Sequence, residues 1–128
     1  MIPKFRAWMK QYEKMDNDIG EMYFEDGEFK YIGDDVHYKR LPEHVILMLS
    51  TGIKDKNGKE IFEGDILAFK TDDEVINVNV FWDEEHALFM FESKKYNEQE
   101  PLAELVENNT YPFEIIGNIY ENKELLDA

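Results

Sequence analysis

The clearest alternation of apolar and polar residues lies in VINVNVFW, residues 75–82. Residues two apart along a strand share one face, so this pattern predicts a strand with one buried face. The residues predicted to point inward are Ile76, Val78, Val80 and Trp82. Asn77 and Asn79 are predicted to point outward. The apolar residues at 87–91 give a return strand, and 75–91 is therefore predicted to be a hairpin.

Other short apolar segments predict strands along most of the chain. They are residues 2–9, a hairpin of 22–24 and 29–32 around Asp26-Gly27, a buried strand at 44–49, an apolar strand at 66–69, and 113–120 with a bulge at Gly117-Asn118. Residues 10–20 are polar and end in NDIG, which predicts a turn, and residues 93–100 are also polar. Pro101 is predicted to open a short helix at 102–108, and ENKELL at 121–126 a terminal helical turn. Many short strands with frequent turns favour a small β-barrel.

The segment STGIKDKNGKEIFEGDIL, residues 50–67, concentrates turn-forming residues. Asn57-Gly58 predicts a two-residue type I′ turn, in which both residues have positive φ. That register would set Lys56 opposite Lys59 and Asp55 opposite Glu60, an arrangement of like charges that is mildly unfavourable. Gly58 and Gly64 are both predicted to have positive φ.

Asp65 follows Gly64 and is predicted to accept backbone hydrogen bonds beside that turn. The residues assigned to structural turns are Gly52, Asp55, Asn57, Gly58, Glu63, Gly64, Asp65, Gly117 and Asn118. A ligand-binding loop is the alternative reading of the central segment, since loops often carry function.

Composition favours one folded domain. The chain has 128 residues, 43% of them hydrophobic, and no cysteine. Disulfides and thiolate metal sites are therefore excluded. Neither a signal sequence nor an apolar run long enough to cross a membrane is present, so we expect a cytoplasmic protein without membrane contact.

The net charge bears on which kinds of partner the protein can bind. Fourteen basic residues against twenty-nine acidic ones give a net charge of −15. Direct binding to nucleic acid is disfavoured, because it depends on neutralising phosphates with cations. The charge suits a basic protein partner, and it also serves solubility.

No catalytic, cofactor or metal site is predicted. His37, His44 and His86 share no ligand spacing, which argues against zinc, and DNDIG at 16–20 does not match a calcium loop. The acidic runs at 72–74 and 83–85 are read as solvated turns. No catalytic triad or phosphate-binding loop appears.

Five aromatic residues could instead form a binding groove: Phe62, Phe69, Trp82, Phe89 and Phe91. Aromatic residues at a spacing of two are also common in protein cores. Both readings stay open at this stage.

Three motifs lie in order along the chain: RAW at 6–8, residues 50–67, and IIGNIYENKELL at 115–126. Together they resemble the YopX family of small phage and prophage proteins of Gram-positive bacteria. In the central motif the matching positions are Thr51, Gly52, Lys54, Asp55, Asn57, Gly58, Glu63, Gly64, Asp65 and Ile66. The resemblance implies an all-β, SH3-like small barrel over about 44–126, with an N-terminal β extension over about 1–34. It places a variable insertion with one short helix at about 93–110, and it implies no reaction.

Two functional hypotheses follow. The first is a non-enzymatic phage accessory protein that acts through contacts with an unidentified protein, or through self-association as a homo-oligomer. The second is an acidic mimic of nucleic acid that inhibits a basic host protein. A mimic needs carboxylates spaced like phosphates along one face, whereas a solubilising charge is scattered.

Overall fold

The structure, a computed structural model, describes residues 4–17, 19, 21–33, 39–40, 44–108 and 112–127. The strands are Phe5–Met9 (β1), Lys14–Asp16 (β2), Glu21–Glu25 (β3), Glu28–Gly33 (β4), Lys39–Arg40 (β5), Val45–Lys54 (β6), Glu60–Phe62 (β7), Asp65–Lys70 (β8), Val75–Asp83 (β9), Leu88–Ser93 (β10), Glu98–Pro101 (β11) and Phe113–Asn118 (β12). One short α-helix, Ala103–Asn108 (α1), and a 3-10 helix, Lys123–Asp127, complete the described elements. Strands hold more than half of the described residues, with one short α-helix, which confirms the all-β class. His37 lies outside the described residues.

The chain divides into two compact units, Met1–Leu49 and Ser50–Ala128. The predicted division into an extension and a barrel stays a prediction. No helix in the described part of the chain is long and apolar enough to span a membrane.

The first unit contains two antiparallel arrangements. β1 pairs with β2 on one side and with the first half of β6 on the other, while β3, β4 and β5 form a separate sheet. Ala7, Met9 and Val45 form its buried cluster. β2 lies in the polar segment 10–20, for which the sequence predicts no strand. A strand this short shows no alternation that could reveal it.

The turn of the β3–β4 hairpin follows the prediction. Asp26 and Gly27 have φ of 55° and 81°. Positive φ at both central residues is the conformation of a type I′ turn, which matches the twist of the two strands it joins.

In the second unit, five strands form an antiparallel sheet in the order β11-β10-β9-β8-β12. The strands curl into a half-barrel, in agreement with the predicted small barrel. Its core consists of Ile61, Leu67, Val78, Val80, Phe91, Leu102 and Phe113. Ile66 and Leu67 are both fully buried, as expected of a strand that is apolar on both faces.

The alternation in β9 predicted most of its inner face. Val78 and Val80 are buried, and Ile76 packs against the same core. Trp82 is 39% exposed, so its inward assignment was wrong. Alternation fixes which residues share a face, but it does not say how far along the strand that face is covered, and Trp82 lies near the end of the hairpin.

The opposite face of β9 is not simply solvated, which corrects the outward assignment of Asn77 and Asn79. Asn77 is partly buried, and its Nδ2 donates a hydrogen bond of 2.9 Å to the carbonyl oxygen of Leu125. The Oδ1 of Asn79 is buried and has no hydrogen-bond partner among the described residues. The C-terminal 3-10 helix covers this face, and no local sequence pattern predicts that it does so.

The predicted insertion contains more structure than expected. β11 pairs with β10 in a polar segment for which the sequence predicts no strand, and Pro101 ends this strand instead of opening the helix. Helix α1 begins two residues later. Leu102, between them, is only 1% exposed and belongs to the core. The segment predicted as an insertion therefore contributes a core residue as well as surface.

The last strand contains the predicted bulge. The register of β12 against β8 shifts between Ile115 and Gly117. The extra residue bends the strand locally. The predicted terminal helical turn is the 3-10 helix Lys123–Asp127.

Candidate functional site

The Asn57-Gly58 turn differs from the two-residue type I′ prediction. Gly58 donates its N–H to the carbonyl of Asp55 at 3.0 Å, and the N–H of Asp55 bonds to the carbonyl of Lys59 at 2.8 Å. Gly58 has φ of 80°, whereas Asn57 is not among the described residues with positive φ. These bonds define a three-residue loop that ends in a glycine bulge.

Charge pairing accounts for the longer loop. It sets Asp55 against Lys59, and Lys54 pairs with Glu60. Both are pairs of opposite charge, whereas the two-residue register would have set like charges against each other. The prediction failed because it weighed the turn preference of Asn-Gly above the cross-strand charges.

Asp55 is a buried carboxylate with three backbone donors. Its Oδ1 accepts hydrogen bonds of 2.9 Å from the N–H groups of Asn57 and Lys59. Its Oδ2 accepts one of 3.0 Å from the N–H of Ile115. Burial raises the pKa of Asp55, but these backbone bonds and the positive charge of Lys59 together outweigh burial and hold the pKa below its ordinary value.

At the Glu63-Gly64 turn, as at the turn after Asp55, a buried aspartate accepts a backbone hydrogen bond. Gly64 has φ of 85°, as predicted, and its backbone bonds to Val80 and to Ile119. Asp65 is buried, and its Oδ2 accepts a hydrogen bond of 2.8 Å from the N–H of Phe62, so the prediction of backbone bonds is confirmed.

Gly52 belongs to a bulge that the sequence did not indicate. The register between β6 and β7 shifts between Ser50 and Lys54, and Gly52 has φ of 77° there. The neighbouring hydroxyl of Thr51 donates to the carbonyl of Ile61 at 2.8 Å. The bulge accommodates extra residues on β6, and glycine reduces the strain of positive φ.

At the end of β12, Asn118 caps the chain reversal. Its Oδ1 accepts hydrogen bonds from the N–H groups of Tyr120 and Glu121 at 3.0 and 2.9 Å. A Cβ on Gly117 would lie 2.5 Å from the Oδ1 of Asn122, which is closer than real Cβ contacts. The polar residues of the turn motif thus bind the chain's own backbone, as a scaffold requires.

The five aromatic residues do not share one groove. Phe69 and Phe91 meet edge to face, with ring centroids 6.4 Å apart, and both line a pocket in the second unit. Trp82 and Phe89 form a separate edge-to-face pair 5.0 Å apart. Phe62 is partly buried in β7 and is not among the pocket-lining residues.

Strand register brings this pocket together on one face of the five-stranded sheet. Residues directly opposite each other on neighbouring strands share a face. Phe69 pairs with Ile76, Val80 with Phe91, Phe91 with Glu100 and Ser93 with Glu98. The face is therefore apolar at β8 and β9 and becomes acidic at the edge strand β11.

The pocket encloses about 200 Å³. Its apolar floor consists of Phe69, Ile76, Val78, Phe91 and Leu105. Its remaining lining includes Tyr96 and three carboxylates, of Glu98, Glu100 and Glu104, which we call the acidic lip. Among the described residues, no lysine or arginine forms an ion pair with a carboxylate of the acidic lip.

Crowding of like charges perturbs the acidic lip. Burial is the largest cause that raises the pKa of Glu100 above its ordinary value, followed by the charge of Glu104 and a side-chain hydrogen bond with it. The charge of Glu98 acts in the same direction. A carboxyl group with no cation beside it holds its proton more tightly.

One wall of the pocket is fixed by a polar contact that the sequence reading missed. The hydroxyl of Tyr96 donates to the carboxylate of Glu74, which also pairs with Lys95 at 3.5 Å. This hydrogen bond is the main reason that the pKa of Glu74 is lowered and the pKa of Tyr96 is raised. Glu74 therefore links two turns and is not merely a solvated residue.

The second acidic run caps its own turn. The Oδ1 of Asp83 accepts the N–H of Glu85 at 3.0 Å, and its Oδ2 lies 2.7 Å from the Nδ1 of His86. Ligand atoms of Asp83, Glu85 and His86 lie within 4.8 Å of one another. The hydrogen bonds of Asp83 account for this grouping as turn geometry.

Sequence reasoning missed the acidic lip because β11 was not predicted. A faint signal exists in NEQEP, where Glu98 and Glu100 alternate with Gln99. Gln99 instead donates to Glu92 at 2.7 Å. Polar alternation predicts a strand only when one face is apolar, and here the apolar part of the face belongs to neighbouring strands.

The model of a protein family described as "YopX protein" matches residues 4–127 of the chain. This chain belongs to the YopX family. The family's function is undefined. None of the curated proteins matches the chain.

Two solved structures are similar over nearly the whole length. Protein EF1440 from Enterococcus faecalis is 27% identical, with 98% of this chain and 99% of that chain covered at a TM-score of 0.61. Protein yopX from Bacillus subtilis is 20% identical, with 94% and 95% covered at a TM-score of 0.67. The second likeness shows the YopX fold alone. Neither description states an activity.

Proposed function

We propose that this YopX-family protein is a non-enzymatic accessory protein of a phage or prophage that binds another protein in the bacterial cytoplasm. The contact is made by the pocket of the second unit. The observation that carries the proposal is the pocket itself, which combines an apolar floor with an acidic lip. Pockets of this composition bind ligands by burying apolar surface while a few polar groups set orientation.

The polar groups within the pocket support binding over catalysis. The Oγ of Ser93 accepts the N–H of Tyr96 at 3.2 Å, and the hydroxyl of Tyr96 donates to Glu74. Each hydroxyl thus has a structural partner, and the contact with Glu74 raises the pKa of Tyr96, the opposite of the lowered pKa that activates a nucleophile. The pocket carboxylates remain available to a ligand.

Net charge favours a basic partner. At −15 the protein repels the phosphates of DNA, and direct binding to nucleic acid is not part of the proposal. A basic protein surface is attracted instead of repelled. Attraction between opposite charges raises the rate of association, and salt weakens it.

The acidic mimic remains the second candidate, favoured by the same net charge. It differs in where the binding energy lies. A mimic presents many carboxylates over a broad surface, so removal of any three should weaken binding similarly. A pocket-centred contact depends on the acidic lip far more than on acidic residues elsewhere.

The test is an affinity pull-down from host lysate with three forms of the protein, read by quantitative mass spectrometry. One is unchanged, and one carries Glu98→Gln, Glu100→Gln and Glu104→Gln in the acidic lip. The matched control carries Asp72→Asn, Asp73→Asn and Glu84→Gln, which remove equal charge from exposed turn residues.

The proposal expects a protein that the unchanged form and the control capture equally and that the acidic-lip triple variant loses. Equal loss from both triple variants, together with displacement by duplex DNA, would favour the mimic. Self-association is checked by light scattering of the purified protein. A dimer that the acidic-lip triple variant disrupts would identify the partner as a second copy. If neither triple variant loses a captured protein, the pocket has no role in binding.

A further inference from the structure

We infer that the pocket takes an arginine side chain from the partner protein, with its guanidinium between Glu100 and Glu104 and its hydrocarbon stem against Phe91 and Leu105. This inference rests on the proposed function and specifies the chemistry that the same site recognises. It follows from the shape of the pocket, from the charges of the acidic lip and from the absence, among the described residues, of a lysine or arginine ion-paired with it.

The floor suits a long hydrocarbon stem. Phe91 is buried, and Phe69 and Leu105 pack partly buried against the same core, so the floor presents carbon atoms from the sheet and from helix α1. Arginine covers apolar surface with its methylene groups while its charged end stays in a polar setting. Aromatic rings at the base also attract a cation placed over them.

The acidic lip suits the charged end. Glu98, Glu100 and Glu104 all line the pocket, and the charges of Glu104 and Glu98 both act on the carboxyl of Glu100. A guanidinium carries five N–H donors in a planar fork and can bond two carboxylates at once. Its arrival would replace a repulsive pair of acids by two charge-assisted contacts.

Lys95, next to the pocket residue Tyr96 in sequence, already has partners of its own. Lys95 pairs with Glu74 at 3.5 Å, and its Nζ lies 5.5 Å from the ring centroid of Tyr96. Among the described residues, no ion-paired lysine or arginine therefore competes with an external cation for the acidic lip.

Other occupants match the pocket less well. An uncharged apolar side chain would desolvate the acidic lip and offer the carboxylates nothing in return. Lysine carries a compact charge that cannot bridge two carboxylates with a planar fork. A phosphate group would meet three negative charges. Arginine alone satisfies both the floor and the acidic lip.

The experiment is an NMR titration of the ¹⁵N-labelled full chain with three small probes. They are the N-acetyl methylamides of arginine, lysine and norleucine, which share a linear stem and differ at its end. Each titration is repeated with Glu100→Gln and with the matched control Glu84→Gln, an exposed residue of the β9–β10 turn.

The arginine probe should move the amide signals of Ser93, Tyr96 and Leu105, and it should bind more tightly than the other two. Glu100→Gln should weaken its binding about three-fold or more, the effect of losing one partly exposed charge pair. Glu84→Gln should leave binding unchanged. Equal binding of norleucine, tighter binding of lysine, or equal weakening by both variants would overturn the arginine assignment.

The two proposals fail separately. If the probes do not bind but the pull-down still loses its partner only with the acidic-lip triple variant, arginine is wrong and the pocket remains the contact. If the pull-down shows no dependence on the acidic lip, the proposed function fails, whatever the probes do.

Discussion

The carboxylate of Asp55 accepts a hydrogen bond of 3.0 Å from the backbone N–H of Ile115, which lies 60 residues further along the chain. The same side chain holds the loop that it precedes, through Asn57 and Lys59. Next to it, the N–H of Lys56 donates to the carbonyl of Phe113 at 3.0 Å. One buried side chain therefore fastens the β6–β7 hairpin to the bulged strand β12.

Asp55→Asn should lower the free energy of unfolding by about 1–3 kcal/mol, the usual cost of leaving buried donors unsatisfied. The amide keeps one acceptor oxygen, but its NH₂ group would face N–H groups of the backbone. Urea unfolding at neutral pH measures the change. Asp73→Asn, at an exposed turn residue, is the control and should have little effect. Equal losses from both variants would contradict the role of Asp55.

Stability should also depend on pH through Asp55. Its pKa in the folded protein is held below the ordinary 3.8, so its contribution is present above 3.8 and disappears as the pH falls through the lowered value. The difference in urea midpoint between the unchanged protein and Asp55→Asn should therefore be full at neutral pH and shrink under acidic conditions. A difference that grows on acidification would be the wrong sign.

Two glycines are required for different reasons, and substitutions should separate them. Gly58 has φ of 80° and open space around its Cα, so Gly58→Ala should cost about 1 kcal/mol, and Gly58→Asn should cost less because asparagine tolerates this conformation. At Gly117 the obstacle is the side chain of Asn122. Both Gly117→Ala and Gly117→Asn should therefore be costly.

A substitution of Asn122 tests directly whether its side chain is what requires glycine at position 117. Gly117→Ala should cost less in an Asn122→Gly background than in the unchanged protein, because the obstructing atoms are gone. Urea unfolding of the four proteins gives the coupling free energy. Additive losses would show that the contact is not what requires glycine.

Asn77 and Asn79 occupy the same face of β9 but should respond oppositely to leucine, which has a similar shape. Asn77→Leu removes the hydrogen bond to Leu125 and should cost about 0.5–1.5 kcal/mol. Asn79→Leu removes a buried oxygen without a partner among the described residues, so stability should stay equal or rise. Thermal unfolding of both variants tests this, and a larger loss at Asn79 would contradict it.

Glu100→Gln should make the protein more stable at neutral pH. A carboxyl whose pKa is raised in the folded state binds its proton more tightly there, so folding loses stability as the pH rises from the ordinary 4.5 through the raised value. The glutamine variant escapes this loss, and its advantage should vanish below 4.5. Urea midpoints at both pH values measure the effect, with Glu84→Gln as control. A variant that is more stable yet binds more weakly is typical of a residue kept for function.

Local signals predicted the parts of the fold that depend on neighbouring residues. The alternation of Val78 and Val80 identified a buried face, and Asp26-Gly27 identified the turn of a hairpin. The Asn57-Gly58 turn was wrong because its flanking charges select a longer loop. Trp82 was wrong because cover at the end of a hairpin depends on distant residues.

The candidate site was less accessible to sequence reasoning for a related reason. Phe69 and Phe91 were among the aromatic candidates, but the acidic lip depends on β11, whose residues are polar on both faces. Only the pairing of Glu100 with Phe91 places that carboxylate at an apolar pocket. A tertiary contact of this kind leaves no periodic signal in one strand.

The most direct test of the account is site-specific photo-crosslinking in the bacterial host. A photoreactive benzoylphenylalanine replaces Leu105 at the pocket, or Glu84 as the control, and crosslinked peptides are identified by mass spectrometry. The account predicts that position 105 captures one protein at a segment containing arginine, and that Glu100→Gln greatly reduces this product while position 84 does not form it. The same product from both positions, or capture at position 105 that Glu100→Gln leaves unchanged, would contradict the claim that the pocket is the binding site.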